Sequence, residues 1–559
     1  MKYQAVIRRL LGFLSEAAGG SPIWWSIVTA VPVILLASIT LYNGTIHIMA
    51  PWDVFTLLGG AWRIHSGLIP HIDFYNPIGS LTYELVSLGM SLGHPATVSI
   101  MYSILMVFII VIPWAWIVSY HRLSGFMAAV FTAFMALLIV SDRPLGYDPG
   151  VTTYAMIYNR YSWVLLSVII LQLFIAPRSI GKRATMFEGI SVGGLLVLLF
   201  FCKVSYFGMG LVAIVAATVL RPSLLKALGY TAAVFIVGCF LWWVLFDVST
   251  FAYIADLRAA GAAQSAGHRI QYLLNSLSAN VWPLYLLALL WLTVLVVPFH
   301  PSSKSRWWSG KVKLSIAILF ITGVMFIIAT GNAPEGMDLP LYFVIGAIII
   351  EYICRKESHE LPATLTASEI AHILALLIVL PAFVAPIAVK DAGSIYIATK
   401  RNARAESTIP PGQRFESETL RDFVIPPSSQ WQTAYWRAKD VPARINEGIE
   451  LLRRHVQSDT RLFAAAFTNP FSFALELPPP KGPPLWWDIN FDVSPDNFPN
   501  PDSIFAHVDM IIIPIMRDAD SGCCKETVHQ MMNIYGGYIN ENFEDVEQTE
   551  NWDLMTRRP

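Results

Sequence analysis

The stretch from Ile190 to Leu220 reads ISVGGLLVLLFFC, then KVSY, then FGMGLVAIVAATVL. Each apolar arm is short for a membrane-spanning helix, which needs about 20 residues. The polar break at Lys203-Val204-Ser205-Tyr206 therefore admits two readings, the tip of a hairpin between two spans or the kink of one long broken helix. The choice decides on which side of a membrane every later segment lies.

Working outward, the chain has 559 residues, 55% apolar and only 14% charged. That leaves too little polar surface to coat a soluble particle of this size. Eleven apolar runs read as spans: Trp24 to Tyr42, Thr97 to Tyr120, Gly125 to Val140, Tyr161 to Ala176, Ile190 to Cys202, Phe207 to Leu220, Gly229 to Phe246, Val281 to Phe299, Leu314 to Ile328, Leu339 to Ile353 and Ile370 to Val389. Lysine and arginine fall in alternate breaks: Arg8 and Arg9; Arg122; Arg178, Lys182 and Arg183; Arg221 and Lys226; Lys304, Arg306, Lys311 and Lys313; Arg355 and Lys356. Short loops rich in these residues stay cytoplasmic. The alternation favours the hairpin, an amino terminus inside, and everything after Val389 outside. The first run is followed by no small-residue cleavage site and by further spans, so it reads as an anchor. Ahead of it, Val6, Ile7, Leu10, Leu11 and Leu14 recur at helical spacing, as in a helix lying in the inner interface.

Two domains are expected, a membrane domain over residues 1–390 and an outer one over 391–559. The outer segment is rich in proline and charge. Ile445, Ile449, Leu452 and Val456 share a helix face, Arg461 to Phe467 and Val508 to Met516 read as buried strands, and Thr527 to Tyr535 as a helix. That alternation predicts a small α/β domain. The net charge of −1 gives no basic field for a nucleic-acid partner. Cys202, Cys239 and Cys354 lie in or beside apolar runs and Cys523 and Cys524 are adjacent, so no disulfide framework is expected.

The spans are almost bare of ionisable groups, which collect in the outer breaks. A carrier of ions usually places such groups at mid-span, so the distribution points to chemistry at the outer boundary. The first outer loop, residues 43–95, is longer than a connector needs and contains two amphipathic stretches. It carries Pro51-Trp52-Asp53-Val54-Phe55 and then Gly67-Leu68-Ile69-Pro70-His71-Ile72-Asp73-Phe74-Tyr75-Asn76-Pro77-Ile78-Gly79. Here the chain resembles the GT-C superfamily of membrane glycosyltransferases, in the branch of the protein O-mannosyltransferases and the lipid A aminoarabinose transferase. Asp53 matches the branch's aspartate just after the first span, and Asp73 matches that of a Gly-x-x-Pro-x-x-Asp-Phe segment. The resemblance extends to the layout and, loosely, to Asn469-Pro470-Phe471-Ser472-Phe473, Lys481-Gly482, Val508-Asp509 and Trp552-Asp553-Leu554.

The resemblance implies transfer of a sugar from a polyprenyl-phosphate donor to a hydroxyl of a glycan, lipid or protein, with inversion and without a nucleotide sugar. It also implies a bacterial inner membrane. Such a reaction needs a base for the acceptor proton, and a partly desolvated carboxylate at the membrane edge suits it. Asp53 reads as that base, or else as the cap of a helix beginning near Phe55. Asp73 reads as a brace for the loop or as an acceptor contact. With His71 it could ligate a divalent metal, but the two supply too few ligands to assign one, and no cofactor is assigned. The leaving phosphate calls for fixed cations. Lys203 at the hairpin tip is the first candidate, against simple snorkelling to the interface. Arg160 and Arg143 are the next, against ordinary anchoring. Arg258, His268 and Arg269, with Asp256, read as a loop that closes over the lipid head group or as a solvated loop. Arg63 and His65 read as an interfacial polar face. In the outer domain Asn469, Trp486, Trp487 and Asp488 read as an acceptor contact or a packing cluster. A transporter or flippase for a lipid-linked sugar is the competing class, and an O-antigen polymerase or ligase the third.

Overall fold

The computed structural model describes residues 30, 34, 46–151, 154, 156–178, 181–263, 266–296, 304–331, 338–354, 367–402, 414–425, 440–488, 493–516 and 523–559. Apart from positions 30 and 34, the expected first span and the amino-terminal interfacial helix lie outside the described residues.

After strand β1 (Ile46–His47), the first long loop folds into α1 (Pro51–His65) and α2 (Leu81–Ser91). There follow α3 (Ala96–Tyr120), α4 (Gly125–Val140), α5 (Ile157–Phe174), α6 (Lys182–Cys202), α7 (Val204–Leu220) and α8 (Leu225–Phe246). Two helices, α9 (Thr250–Ala263) and α10 (Ala266–Ala279), precede α11 (Val281–Val296), α12 (Lys304–Ala329) and α13 (Leu341–Cys354). Finally α14 (Ala367–Val379) passes through a π-helical turn at Leu380–Val384 into α15 (Ala385–Asn402). Lipid offers no hydrogen bonds to a backbone, so apolar stretches crossing it must satisfy their own.

The expected runs from Thr97 to Ile353 each overlap one of these helices, and the last, Ile370 to Val389, runs through α14, the π-helical turn and the start of α15. Six described stretches are long and apolar enough to cross a membrane, or seven if the pair Arg269–Ala279 and Val281–Val296, bent by 65°, is one span. Gly125–Val140, Val204–Leu220 and Leu341–Ile353 are shorter apolar helices. The protein is thus a mostly helical membrane protein.

The Ile190 to Leu220 stretch takes the hairpin form. Lys203 adopts an extended conformation (φ −158°, ψ 117°) between α6 and α7. The arms then run back along each other, so that an added Cβ on Gly210 would lie 3.2 Å from Leu196. At the far end Arg221, just past α7, pairs at 3.0 Å with Glu188, near the start of α6, and Arg122 joins the same carboxylate at 3.2 Å. Charges therefore gather at both ends of the bundle. At the Lys203 end, Asp391 of α15 receives Arg160 at 2.6 Å and Arg143 at 2.8 Å, and Arg143 also reaches Asp338 at 2.9 Å. All four side chains are buried. The boundary expected at residue 391 falls inside α15, on the residue that ties this helix to α5.

Beyond α15 the chain forms β2 (Phe423–Val424), α16 (Val441–Arg453), β3 (Leu462–Ala464), α17 (Phe471–Ala474), α18 (Pro501–Phe505), β4 (Met510–Pro514), α19 (Cys523–Asn542), β5 (Phe543–Gln548) and β6 (Trp552–Arg557). Four strands make a sheet in the order β3-β4-β6-β5, with β3 and β4 parallel and the other pairs antiparallel. Alternation along the strands sorts the two faces. Phe463, Ile511 and Met555 pack with Met531, Tyr535 and Ile539 of α19. Leu462, Ala464, Ile512 and Leu554 join a cluster with Ile445, Ile449 and Leu452 of α16 that continues into the membrane helices. The two expected strands and both helices are present, but α16 ends at Arg453, so Val456 lies beyond the helix whose face it was expected to share.

The first loop and the last third are joined through their backbones. β1 pairs in parallel with β2, Ile46 opposite Phe423. The Gly482 amide donates to the Asp73 carbonyl at 2.8 Å, and the Leu485 amide to Tyr75 at 3.1 Å. Gly482 has φ +102°, and a Cβ there would overlap the Ser503 carbonyl oxygen, so both conformation and space require glycine.

The two arginines on Asp391 give a test of how the bundle is held. Removing one partner leaves buried charge uncompensated, at about 3–5 kcal/mol. Asp391→Asn is expected to lower the midpoint of thermal unfolding in detergent markedly, whereas Glu450→Gln, on an exposed pair with Arg454, leaves it within about 1 °C. Tryptophan fluorescence during a temperature ramp measures both.

Candidate active site

A cavity of about 660 Å³ lies where the first loop, the hairpin tip and the last third meet. Asp53, Thr56 and Leu57 of α1 line it from one side, and Lys203, Val204 and Ser205 from another. Asn159 and Tyr158 come from the start of α5, Arg269 and Tyr272 from α10, and Trp486 and Asp488 from the last third.

Local folding explains how these side chains converge. α1 begins at Pro51, whose missing N–H costs nothing in a first helical turn. Asp53 therefore lies within that turn and is not the residue that caps it. The exposed amides and dipole of the turn favour a carboxylate there. An added Cβ on Gly79 would overlap the carbonyl of Phe201, so the first loop rests with its backbone directly on the end of α6. Trp242 stacks on Phe201 at 4.6 Å and donates to the Ser80 hydroxyl at 3.2 Å. The loop is thereby fixed on the hairpin.

Lys203 is half-buried, and its Nζ donates to Asn159 Oδ1 at 2.6 Å. It also lies 5.1 Å from the Tyr158 ring and 5.8 Å from that of Tyr206. A lysine that merely reached for water would not be walled in by two rings and an amide. Cys202 donates to the Tyr158 carbonyl at 3.3 Å and Trp163 meets Tyr206 edge to face at 5.1 Å, holding the tip against α5.

The remaining expected residues are placed as follows. Asp73 does not line the cavity. It pairs with Lys481 at 3.0 Å and accepts the Ile69 amide at 2.9 Å, so it braces the loop against the last third. Arg160 and Arg143 are also absent from the cavity wall. Expected as phosphate contacts, they are engaged by Asp391 and Asp338, and Arg160's two-pronged geometry is matched to a carboxylate (2.6 and 3.2 Å). Burial alone would raise Asp338, but Arg143 and Lys390 hold its carboxyl below the usual range. Arg258 is exposed on α9, the side chain of His268 lies outside the described residues, and Arg269 reaches the cavity.

Arg63, expected on an interfacial face, is buried and donates to the carbonyls of Pro483 at 2.7 Å and Pro484 at 3.2 Å. Burial pulls it down to about 9, so it stays cationic at neutral pH. Its partners are proline carbonyls about 420 residues away, which no local pattern announces. His71 donates from Nδ1 to Asp256 at 2.9 Å, and Asp256 also accepts the Asn76 amide. Burial raises the Asp256 carboxyl, partly offset by His71. His71 and Asp73 thus turn to different partners. Among the described residues, no group of three His, Cys, Asp or Glu side chains could hold a metal ion.

Sequence reading passed over Asn159, Tyr83 and Tyr272, all on the cavity wall. Asn159 had a signal, since it precedes Arg160 at the start of the same helix. Of the tryptophan pair, Trp486 faces the cavity while Trp487 packs against Phe463 and Tyr535.

No protein-family model matches the chain, and no curated protein does. Among solved structures it is similar to ArnT from Cupriavidus metallidurans bound to undecaprenyl phosphate, with 11% identity, TM-score 0.45, and 96% of this chain and 98% of that one covered. The apo state of the same protein gives 12% identity and TM-score 0.48 over 96% and 98%. The arabinofuranosyltransferase AftD from mycobacteria gives 13% identity and TM-score 0.46, covering 97% of this chain and 40% of that one.

Glu84, next to Tyr83 on α2, supplies a pH test. Burial pushes its carboxyl up to about 8, and its Oε1 has no hydrogen-bond partner among the described residues. The folded protein thus keeps a proton that the unfolded chain releases near 4.5. Its contribution to stability is full below about 4.5 and is lost as pH rises towards about 8. Glu84→Gln is expected to flatten that decline, read as unfolding midpoints across the range; a variant that declines like the wild type contradicts it.

Proposed function

We propose that the protein is an inverting glycosyltransferase of GT-C type, which moves a sugar from a polyprenyl-phosphate donor to an acceptor hydroxyl at the outer face of the membrane. In this reading it crosses a bacterial plasma membrane eleven times, with the amino terminus cytoplasmic and the residues beyond α15 forming an outer α/β domain. The observation that carries it is the meeting of Asp53 and Lys203, 150 positions apart in the sequence, on the wall of one cavity.

Asp53 takes the proton of the acceptor hydroxyl as its oxygen bonds to the anomeric carbon from the face opposite the phosphate. The bond from that carbon to the phosphate oxygen breaks, and its electron pair leaves with the polyprenyl phosphate. Negative charge grows on the phosphate as the bond lengthens, and Lys203 and Arg269 stabilise it. Asn159, Tyr158 and Tyr206 hold the Lys203 ammonium in place beforehand, so little reorganisation accompanies the step. Asp73 positions the loop bearing Asp53 through Lys481. Trp486 and Asp488 offer the acceptor a ring face and a hydrogen-bonding carboxylate. Arg143 and Arg160 act at a distance, by tying α15 to α5 beneath the cavity.

The test is purified protein with radiolabelled polyprenyl-phosphate sugars and a panel of acceptors. Asp53→Asn is expected to fold and to lose transfer by about 10²–10⁴-fold. Lys203→Met is expected to lose about 10²–10³-fold in kcat. A folded Asp53→Asn that transfers at the wild-type rate removes the base. Movement of intact donor across vesicles, with its glycosidic bond unbroken, would make the protein a flippase instead.

A further inference from the structure

A second cavity, of about 300 Å³, lies at the other end of the bundle, where α5, α7, α12 and α13 come together. Its lining is mostly apolar, with Phe174, Leu220, Leu314 and Ile348, and includes the charged Arg221, Lys313 and Glu351; Arg221 is held by Glu188 and by the carbonyls of Gln172 and Leu173. Gly310 keeps space beside the Tyr352 hydroxyl, which a Cβ would approach to 2.9 Å. The cavity is far from the proposed transfer site. α5, α7 and α12 each contribute to both, with Asn159, Val204 and Ile328 at one end and Leu173, Leu220 and Gly310 at the other.

The charges around it do not balance. Arg122 and Arg221 share Glu188, and Arg178 lies 3.8 Å from Glu351. Lys313 is exposed and has no ion-pair partner among the described residues. Among the described side chains, four cations thus face two carboxylates. An anion is favoured by that excess, and a hydrocarbon chain by the walls between helices. A soluble phosphate would gain nothing from the walls, and a zwitterionic head group would bring its own cation to the basic rim.

We infer that this cavity is a binding site for one anionic phospholipid, its phosphate on Lys313 and an acyl chain between α7 and α12. Basic pockets between helices on the cytoplasmic side suit such head groups. The site is independent of the proposed transfer reaction, since no residue lines both cavities.

The test uses the full-length protein, delipidated in detergent and titrated with phosphatidylglycerol, phosphatidylcholine or inorganic phosphate, with retained lipid counted by native mass spectrometry and unfolding midpoints read alongside. Wild type is expected to retain phosphatidylglycerol in preference to phosphatidylcholine and to melt higher with it. Lys313→Gln, at an exposed side chain, is expected to keep its lipid-free midpoint and bind phosphatidylglycerol about fivefold more weakly. Ala317→Leu, which narrows the cavity from α12, is expected to lose the preference. Equal retention of the two lipids, an unchanged affinity in Lys313→Gln, or the same rise in midpoint with inorganic phosphate alone would each overturn the inference.

Discussion

The backbone contact between Gly79 and the carbonyl of Phe201 is the constraint on which the rest of the site depends. The first loop sits on Phe201 in the last turn of α6, two residues before Lys203, with no side chain between them. Any other residue at position 79 would hold the loop away and widen the gap between α1, which carries Asp53, and the hairpin tip. In the proposed reaction such fixed spacing matters, because dipoles and charges set in advance need not reorganise as charge develops.

The last third closes the cavity by the same means. Gly482 meets Asp73 through main-chain atoms, and Arg63 is spent on two proline carbonyls, so the joint consists of hydrogen bonds that need neither a mobile side chain nor water. Asp73 and Lys481 add one ion pair across it. Because one sheet face shares its apolar cluster with the membrane helices, the roof of the cavity and the bundle form a continuous packed body.

Buried charge is handled differently at the two ends. Near Lys203, Asp391 and Asp338 neutralise Arg143 and Arg160, so those arginines stiffen the bundle and leave Lys203 and Arg269 as the cations on the cavity wall. At the opposite end the cations outnumber the carboxylates around an apolar space. The first arrangement suits a rigid support, the second a charged lipid.

The sequence by itself determined the membrane class, the helices from Thr97 onward, the hairpin, and the helix and strand patterns of the last third. These follow from local composition and period, since lipid forces apolar stretches into helices and alternation sorts a strand's two faces. It also singled out Asp53 and Lys203, because a carboxylate beside an apolar run and a lysine between two such runs are conspicuous where charge is costly. What only the tertiary structure decided is which cation meets which anion. Arg160 and Arg269 look alike in sequence, yet one lies against Asp391 and the other on the cavity wall. The difference is set by contacts between residues hundreds of positions apart, which no local pattern encodes.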